Sequence, residues 1–158
     1  MQWMILPFRR YADFNGRSRR VEYWMFTLFQ IILVFVSAML FLAVMGTAGL
    51  FNLGQNPAES QAAVLRLFSS PGLWLLSAVI GIYWLFALVP SIAVTVRRLH
   101  DRDLSGWWYL GYFAASIIPL LNFIVFIAFL VVLLLPGTPG PNRFGEDPKD
   151  PTAADVFA

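Results

Sequence analysis

Three stretches of this chain contain no charged residue, and they limit what the chain can fold into. They cover residues 23–58, 67–96 and 104–142. A helix that crosses a lipid bilayer needs roughly 20 consecutive apolar residues, and each stretch contains a run of that length. Charged residues make up 13% of the chain, against about 25% in an average soluble domain. The sequence therefore predicts an all-α, polytopic helical membrane protein.

The first two stretches each fit one full crossing. Residues 23–45 form an unbroken apolar run that ends before Gly46 and Gly49, and residues 73–96 form a second run that ends at Arg97. Both runs are close to the length that a crossing helix requires. We expect crossings at about 23–45 and 73–96.

The third stretch is too long for one straight crossing. Residues 107–135 would form a helix of about 43 Å at 1.5 Å per residue, whereas the hydrocarbon core is about 30 Å thick. Pro119 and Asn122 interrupt this run, and proline removes a backbone donor and clashes with the preceding turn. The stretch forms either a tight helical hairpin or one long kinked crossing. The hairpin is favoured, and it would return the C-terminus to the cytoplasm.

The end of the chain differs in composition from the rest. It reads PGTPGPNRFGEDPKDPTAADVFA and is rich in Pro, Gly and Asp, which are typical of turns and disordered ends. We expect residues 1–148 to form a single membrane domain and residues 149–158 to form a flexible C-terminal tail.

Arginine is unevenly distributed around the predicted crossings. Five arginines precede the first crossing, one lies in the connection to the second crossing, and three follow the second. Because Lys and Arg are retained in the cytoplasm, this pattern predicts a cytoplasmic N-terminus. In chain order they are Arg9, Arg10, Arg17, Arg19 and Arg20, then Arg66, then Arg97, Arg98 and Arg102.

A carboxylate and two guanidinium groups are expected at the same membrane face. Glu22 precedes the first crossing, and Arg97 and Arg98 follow the second. Arginine pairs bidentately with carboxylate, and a carboxylate is favoured at a helix start by the helix dipole. We therefore expect Glu22 to pair with Arg97 or with Arg98.

The C-terminal end joins this polar group if the third stretch is a hairpin. Arg143 is then expected to pair with Asp101 or Asp103. The combined cluster is interpreted either as structural or as a site for an anion or an anionic lipid headgroup, since basic residues next to a crossing attract such lipids. Its candidate members are Arg17, Arg20, Glu22, Arg97, Arg98, His100, Asp101, Asp103, Asn142 and Arg143.

The residues of the chain give little indication of a metal site or of a catalytic nucleophile. The chain has one histidine, His100, and no cysteine, whereas a catalytic metal site usually needs three protein ligands. No G-x-S-x-G nucleophile signature occurs. We predict no catalytic residue, metal or cofactor, and the interpretation leans away from an enzyme.

Tryptophans lie at the predicted membrane edges. Trp24 opens the first crossing, and Trp107 and Trp108 open the third stretch. Tryptophan prefers the boundary between lipid and water, so we expect these three residues to be interfacial anchors.

Three polar motifs around the apolar runs resemble one known family. They are FNGRSRRVEYW (residues 14–24), RRLHDRDLSGWW (97–108) and PGTPGPNRFGEDP (136–148). In this order they are similar to the small bacterial inner-membrane family known as domain of unknown function 805. The resemblance implies a multi-pass inner-membrane protein whose biochemical role is not established, and it supplies no catalytic residues.

Two classes of function remain. The first is a non-enzymatic scaffold or partner-binding subunit with a polar Arg/Asp/His face in the cytoplasm. The alternative is an oligomeric channel or small-molecule transporter. The expected partners are the lipid bilayer, including anionic headgroups, and a second copy or another membrane protein. A net charge of +2 is too small to indicate nucleic-acid binding.

Overall fold

A computed structural model describes residues 2–47 and 56–149, and within these residues the fold is entirely helical. Two helices are long, and the remaining four are short. The helices are α1 (Gln2–Arg9), α2 (Arg20–Thr47), α3 (Pro57–Phe68), α4 (Pro71–His100), α5 (Trp107–Ser116) and α6 (Pro119–Leu134).

Helices α2 and α4 are long and apolar enough to cross a membrane. The most apolar 18-residue part of α2 has no buried residue, and large side chains such as Phe35 and Leu85 are 64% and 73% exposed. Apolar surface of this extent is consistent with a membrane protein, because lipid is the environment that favours it. Both helices extend past the predicted limits of 23–45 and 73–96, and the start of α2 and the end of α4 continue into charged residues.

The third apolar stretch is two helices, as the favoured alternative predicted. Helix α5 ends at Ser116 and α6 begins at Pro119, where proline is tolerated because the first helical N–H needs no partner inside the helix. The Tyr112 and Phe129 rings stack with centroids 4.4 Å apart, so the two helices pack side by side. The structure therefore contains a helical hairpin.

The chain divides into two compact units. Within the described residues, the first comprises residues 2–28 and 87–149, and the second comprises residues 29–47 and 56–86. In the second unit, the hydroxyl of Tyr83 donates to Oε1 of Gln30 at 2.5 Å, which links α2 to α4. In the first unit, the start of α2 and the end of α4 meet the α5–α6 hairpin and the residues that follow it.

Helix α4 ends in a turn that sequence reasoning did not anticipate. The Leu104 N–H donates to the Leu99 carbonyl and the Asp103 N–H donates to the His100 carbonyl, which are the two bonds of a Schellman motif. Asp103 has a φ of +59°, a left-handed conformation that Asp tolerates better than most residues. The polar motif at residues 97–108 is therefore a helix end followed by a short turn, and only residues 101–106 leave the helix.

Two short helices complete the fold. Helix α1 was not predicted, and Phe8 packs edge-on against Phe26 of α2 with ring centroids 5.3 Å apart. Helix α3 is capped by Asn56, whose side-chain oxygen accepts from the Ala58 N–H at 3.1 Å. Residues 136–149 form turns, and the part of the expected flexible tail from residue 150 onward lies outside the described residues.

Candidate functional site

Five charged side chains are buried together in the first unit. Each is at most 4% exposed, although charged residues are seldom buried unless they are paired. They come from the loop before α2, the first turn of α2 and the end of α4. We call them the buried ion-pair cluster: Arg17, Glu22, Arg97, Arg98 and Asp101.

Glu22 and Arg97 form an ion pair that connects segments distant in sequence. The Arg97 Nη2 atom lies 3.0 Å from Glu22 Oε1. Arg97 also donates from Nη1 to the Asp13 carbonyl at 2.7 Å, and its own carbonyl accepts from the Ser18 N–H at 3.1 Å. These bonds fix the end of α4 against the start of α2 and the loop before it. Of the two arginines predicted to pair with Glu22, the structure contains the pair with Arg97.

Asp101 lies between two arginines. Its Oδ1 atom accepts from Arg17 Nε at 3.1 Å, and its Oδ2 atom forms an ion pair with Arg98, three residues earlier. Gly137 faces the same carboxylate so closely that a Cβ atom at this position would overlap it. The two arginines and the backbone at Gly137 therefore enclose the Asp101 carboxylate.

Backbone carbonyls accept from further guanidinium donors of Arg17 and Arg98, whereas the buried Arg97 Nε has no acceptor among the described residues. Arg17 donates from Nη1 to Gly140 and from Nη2 to Thr138, each at 2.6 Å. Arg98 donates from Nε to the Leu133 carbonyl at 3.1 Å and from Nη2 to the Leu135 carbonyl. The last carbonyls of a helix have no partner within the helix, so the end of α6 offers acceptors that the sequence does not reveal.

The C-terminal segment, residues 135–149, docks onto the end of α4. The Thr138 N–H donates to the Asp101 carbonyl at 2.8 Å, and Asn142 Nδ2 donates to the His100 carbonyl at 2.9 Å. The His100 ring stacks on Phe144 with centroids 3.8 Å apart, and its Nδ1 atom lies 3.2 Å from the Gly16 carbonyl oxygen. This segment is therefore a structural part of the site.

An exposed rim surrounds the buried cluster. Arg143 Nε lies 3.1 Å from Asp103 Oδ1, with 60% and 46% of the two side chains exposed. Of the two predicted partners of Arg143, the structure contains Asp103. Arg10 and Asp13 form a second pair on the rim, half-buried, at 2.7 Å.

Two rim carboxylates are held in the charged form. Burial raises the pKa of Asp13, but hydrogen bonds from Arg10 and the Asn15 N–H, with the positive charges of Arg10 and Arg97, bring that pKa below its ordinary value of 3.8. Asp147 accepts from the backbone N–H groups of Lys149 and Gly140, which likewise lower its pKa. Both carboxylates therefore retain their charge under mildly acidic conditions.

The remaining predicted residues lie outside the cluster. Arg20 is exposed and reaches only the Leu134 carbonyl, at 3.5 Å. Trp107 and Trp108 are 77% and 63% exposed, and their role as interfacial anchors stays a prediction. Trp24 differs, because its indole N–H is enclosed and has no acceptor among the described residues.

Sequence reasoning missed the acceptors of this site. The sequence predicts that the C-terminal end joins the polar group through Asn142 and Arg143, but it predicts no role for the carbonyls of Thr138, Gly140 and Asp13. A backbone carbonyl carries no residue-type signal. The one available clue was the repeated PG of PGTPGP, because glycine allows another group to approach the backbone closely.

The cluster contains three guanidinium groups and two carboxylates, so its side chains carry one excess positive charge. Carbonyl oxygens from the loop before α2, the end of α6 and the C-terminal segment surround that charge. Among residues 2–47 and 56–149, no group of three or more His, Cys, Asp or Glu side chains could hold a metal ion. The arrangement holds five segments of the first unit in one geometry: the loop before α2, the start of α2, the end of α4, the end of α6 and the C-terminal segment.

The comparison with known proteins decides the family. The family described as "Protein of unknown function (DUF805)" matches residues 11–146. The chain belongs to the DUF805 family. All of the buried ion-pair cluster and the docked residues Thr138 and Asn142 lie within the matched range, so these contacts are part of the DUF805 region of this chain.

Relatives from Escherichia coli support the assignment. The "Inner membrane protein YhaH" of strain K12 is 35% identical over 151 residues, which cover 94% of this chain and 98% of YhaH. The "Inner membrane protein YhaI" is 34% identical over 149 residues, covering 94% and 97%. The "Uncharacterized protein YiiR" is 32% identical over 108 residues, covering 56% of this chain and 74% of YiiR. No solved structure matches this DUF805 chain.

Proposed function

We propose that this chain is an integral, multi-pass inner-membrane protein that acts as a non-enzymatic scaffold or partner-binding subunit. Helices α2 and α4 cross the bilayer, and the buried ion-pair cluster lies on the cytoplasmic side. Three findings support the location: the exposed apolar surface of both helices, the names of the E. coli relatives, and the arginines near the cluster, which the cytoplasmic side retains.

One observation carries the functional part of the proposal. The guanidinium groups of Arg17, Arg97 and Arg98 are buried and bonded to acceptors of the chain itself. A reactive or ligand-binding arginine needs donors directed towards a substrate, whereas these donors are directed into the protein. The cluster thus builds a rigid platform, and its exposed rim is the surface available to a partner.

Site-specific photo-crosslinking tests this proposal. A benzophenone amino acid is placed at Phe14 or Pro141, both exposed residues of the first unit, or at Phe35 in the apolar part of α2 as a control. We expect discrete protein adducts from Phe14 and Pro141 in bacterial membranes, while Phe35 yields lipid adducts alone.

A second measurement separates the scaffold from a channel. The purified protein is reconstituted into liposomes and the flux of ions and small solutes is measured. Flux above that of empty liposomes, together with adducts between copies from Phe35, would overturn the scaffold and favour an oligomeric channel. An absence of adducts from both Phe14 and Pro141 would also reject partner binding.

A further inference from the structure

The start and the end of the α5–α6 hairpin both lie next to the end of α4. Arg98, at the end of α4, donates from Nε to the carbonyl of Leu133 near the end of α6. Arg102, just before α5, donates to the carbonyl of Pro136 just after α6. The start of α5 and the end of α6 are therefore both tied to the polar residues at the C-terminus of α4.

The hairpin is too short to cross a bilayer and return. Helix α5 has 10 residues and α6 has 16, which correspond to about 15 Å and 24 Å at 1.5 Å per residue. The hydrocarbon core is about 30 Å thick, so one leaflet contributes about half of that. A hairpin that enters beside the buried ion-pair cluster thus reaches to about the middle of the bilayer.

The tip of the hairpin is apolar and exposed. Ile117, Leu120 and Phe123 are 72%, 86% and 73% exposed, and no charged residue occurs from residue 104 to residue 142. Water on the far side of a membrane would be an unfavourable environment for such a tip. The two tryptophans at the opposite end, Trp107 and Trp108, are exposed where the hairpin starts, as expected at a lipid–water boundary.

Four backbone N–H groups next to the tip find acceptors within the hairpin itself. Irregular backbone within a membrane must satisfy its own polar groups, because no water is available there. The N–H groups of Ile117 and Ile118 donate to the carbonyls of Ala114 and Ala115, and those of Leu121 and Asn122 both donate to the Ile118 carbonyl. Pro119, between them, has no N–H to satisfy.

We infer that the α5–α6 hairpin is a re-entrant element that inserts into a single leaflet, the one next to the buried ion-pair cluster, and is covered there by lipid acyl chains. The inference rests on the membrane insertion proposed above. In this arrangement, the lipid of one leaflet covers the exposed apolar surface of the hairpin. The protein then has a larger cross-section in that leaflet than in the other.

Single-cysteine variants test the inference, because the chain has no cysteine of its own. Leu120→Cys places a label at the tip, and Lys149→Cys places one on an exposed residue of the C-terminal segment. A membrane-impermeant maleimide should label Lys149→Cys from one face only and Leu120→Cys from neither. With an environment-sensitive fluorophore on Leu120→Cys, lipids brominated near the end of the acyl chain should quench more strongly than lipids brominated near the headgroup.

The other outcomes overturn the inference in distinct ways. Labelling of Leu120→Cys from the face opposite Lys149→Cys means that the hairpin crosses the bilayer, and labelling from the same face means that it stays outside. Disulfide-linked dimers through Leu120→Cys with no quenching mean that a second copy covers the tip. If alkaline carbonate extracts the protein from membranes, the proposed membrane insertion fails as well. If the protein resists extraction but shows one of the contrary labelling results, only the re-entrant hairpin is rejected.

Asn122 provides a second variant. It is the amide side chain nearest the tip, and it is exposed. If acyl chains cover the hairpin, Asn122→Leu removes a polar group from hydrocarbon and should keep the depth of the Leu120→Cys label unchanged. A label that becomes accessible to water in this variant would mean that a polar partner, and not lipid, holds the tip.

Discussion

At the scale of single residues, Asp101 connects three parts of the first unit. Its carboxylate accepts from Arg17 before α2 and from Arg98 within α4, and its carbonyl accepts from the Thr138 N–H. The three partners are far apart in sequence, so a change that moves Asp101 disturbs all of them. Buried charges are costly unless every partner is in place.

Gly137→Ala tests how tightly Asp101 is enclosed. The added Cβ atom would overlap the carboxylate, so the ion pairs must shift, and we expect a loss of about 1–3 kcal/mol in the free energy of unfolding. Unfolding in detergent micelles measures the effect. Gly111→Ala in α5 is the matched control, because no atom lies within 4 Å of the added Cβ. Equal stability of the two variants would contradict the observed packing.

The Glu22–Arg97 pair is tested by a double-mutant cycle. Glu22→Gln leaves Arg97 buried without its carboxylate, so each single substitution should cost about 3–5 kcal/mol and the double variant much less than the sum. Arg143→Gln, which breaks an exposed pair, should cost at most about 1 kcal/mol. Combining Glu22→Gln with Arg98→Gln should instead give roughly additive losses, because Arg98 pairs with Asp101. Additive losses for Glu22 and Arg97 would refute the pair.

Asp13 should contribute to stability in a defined pH range. Its pKa in the folded protein lies below 3.8, so it favours folding at pH values above the unfolded pKa. That contribution is lost as the pH falls through the lowered folded pKa. The difference in the free energy of unfolding between the wild type and Asp13→Asn, measured from pH 7 down to pH 3, should therefore narrow as the pH falls below 3.8. A constant difference across this range would argue against the lowered pKa.

Residue types alone allowed only part of the site to be predicted. The positions of Glu22 and Arg97 on either side of apolar runs placed them at one face, and this was enough to propose the pair. Arg17 was included in the cluster, but its bonds to the Thr138 and Gly140 carbonyls were not predicted, because any residue can supply such an acceptor. The extent to which the arginines are buried was also not predictable, because it depends on where residues 135–149 dock.

At the scale of elements, the α5–α6 hairpin is held by aromatic rings. Phe129 of α6 stacks on Tyr112 at 4.4 Å and lies 6.1 Å from Tyr109. In lipid, association of helices depends on packing and polar contacts, since exclusion of water gives little driving force there. The break within this hairpin, between α5 and α6, is predictable from Pro119. Helix α1 is not, because an isolated helix of eight residues is marginal and forms only through tertiary contacts.

Phe129→Ala should loosen the hairpin. The ring stacks would be lost, and we expect the free energy of unfolding to fall by about 1 kcal/mol. Phe126→Ala removes an equally large ring from a position that is 48% exposed, and it should have a smaller effect. Hydrogen exchange of α5 amides should also increase in Phe129→Ala. If Phe126→Ala is the more damaging variant, another surface of α6 is the one that packs.

At the scale of the whole molecule, the first unit is assembled from both ends of the described chain. Residues 2–28 supply Arg17 and Glu22, and residues 87–149 supply their partners and the docked C-terminal segment. The stability of this unit therefore depends on residues that composition alone assigned to a turn-rich end.

Two truncations measure this dependence. A chain ending at Pro136 lacks the Thr138 and Gly140 acceptors of Arg17, and a chain ending at Lys149 keeps them; both lack residues 150–158. We expect the shorter chain to be present in membranes at a several-fold lower level and to unfold at a lower temperature in detergent. Equal levels and equal melting temperatures would mean that the C-terminal segment adds no stability.

The distance in sequence between Arg17 and its acceptors also has a consequence for biosynthesis. The carbonyl of Thr138 is made 121 residues after Arg17, an interval of about 6–24 s at roughly 5–20 residues per second of translation. During that time, Arg17 of the nascent chain lacks its acceptors, because Thr138 and Gly140 have not yet been synthesised. A premature stop codon anywhere in that interval leaves the Arg17 charge without these two carbonyls.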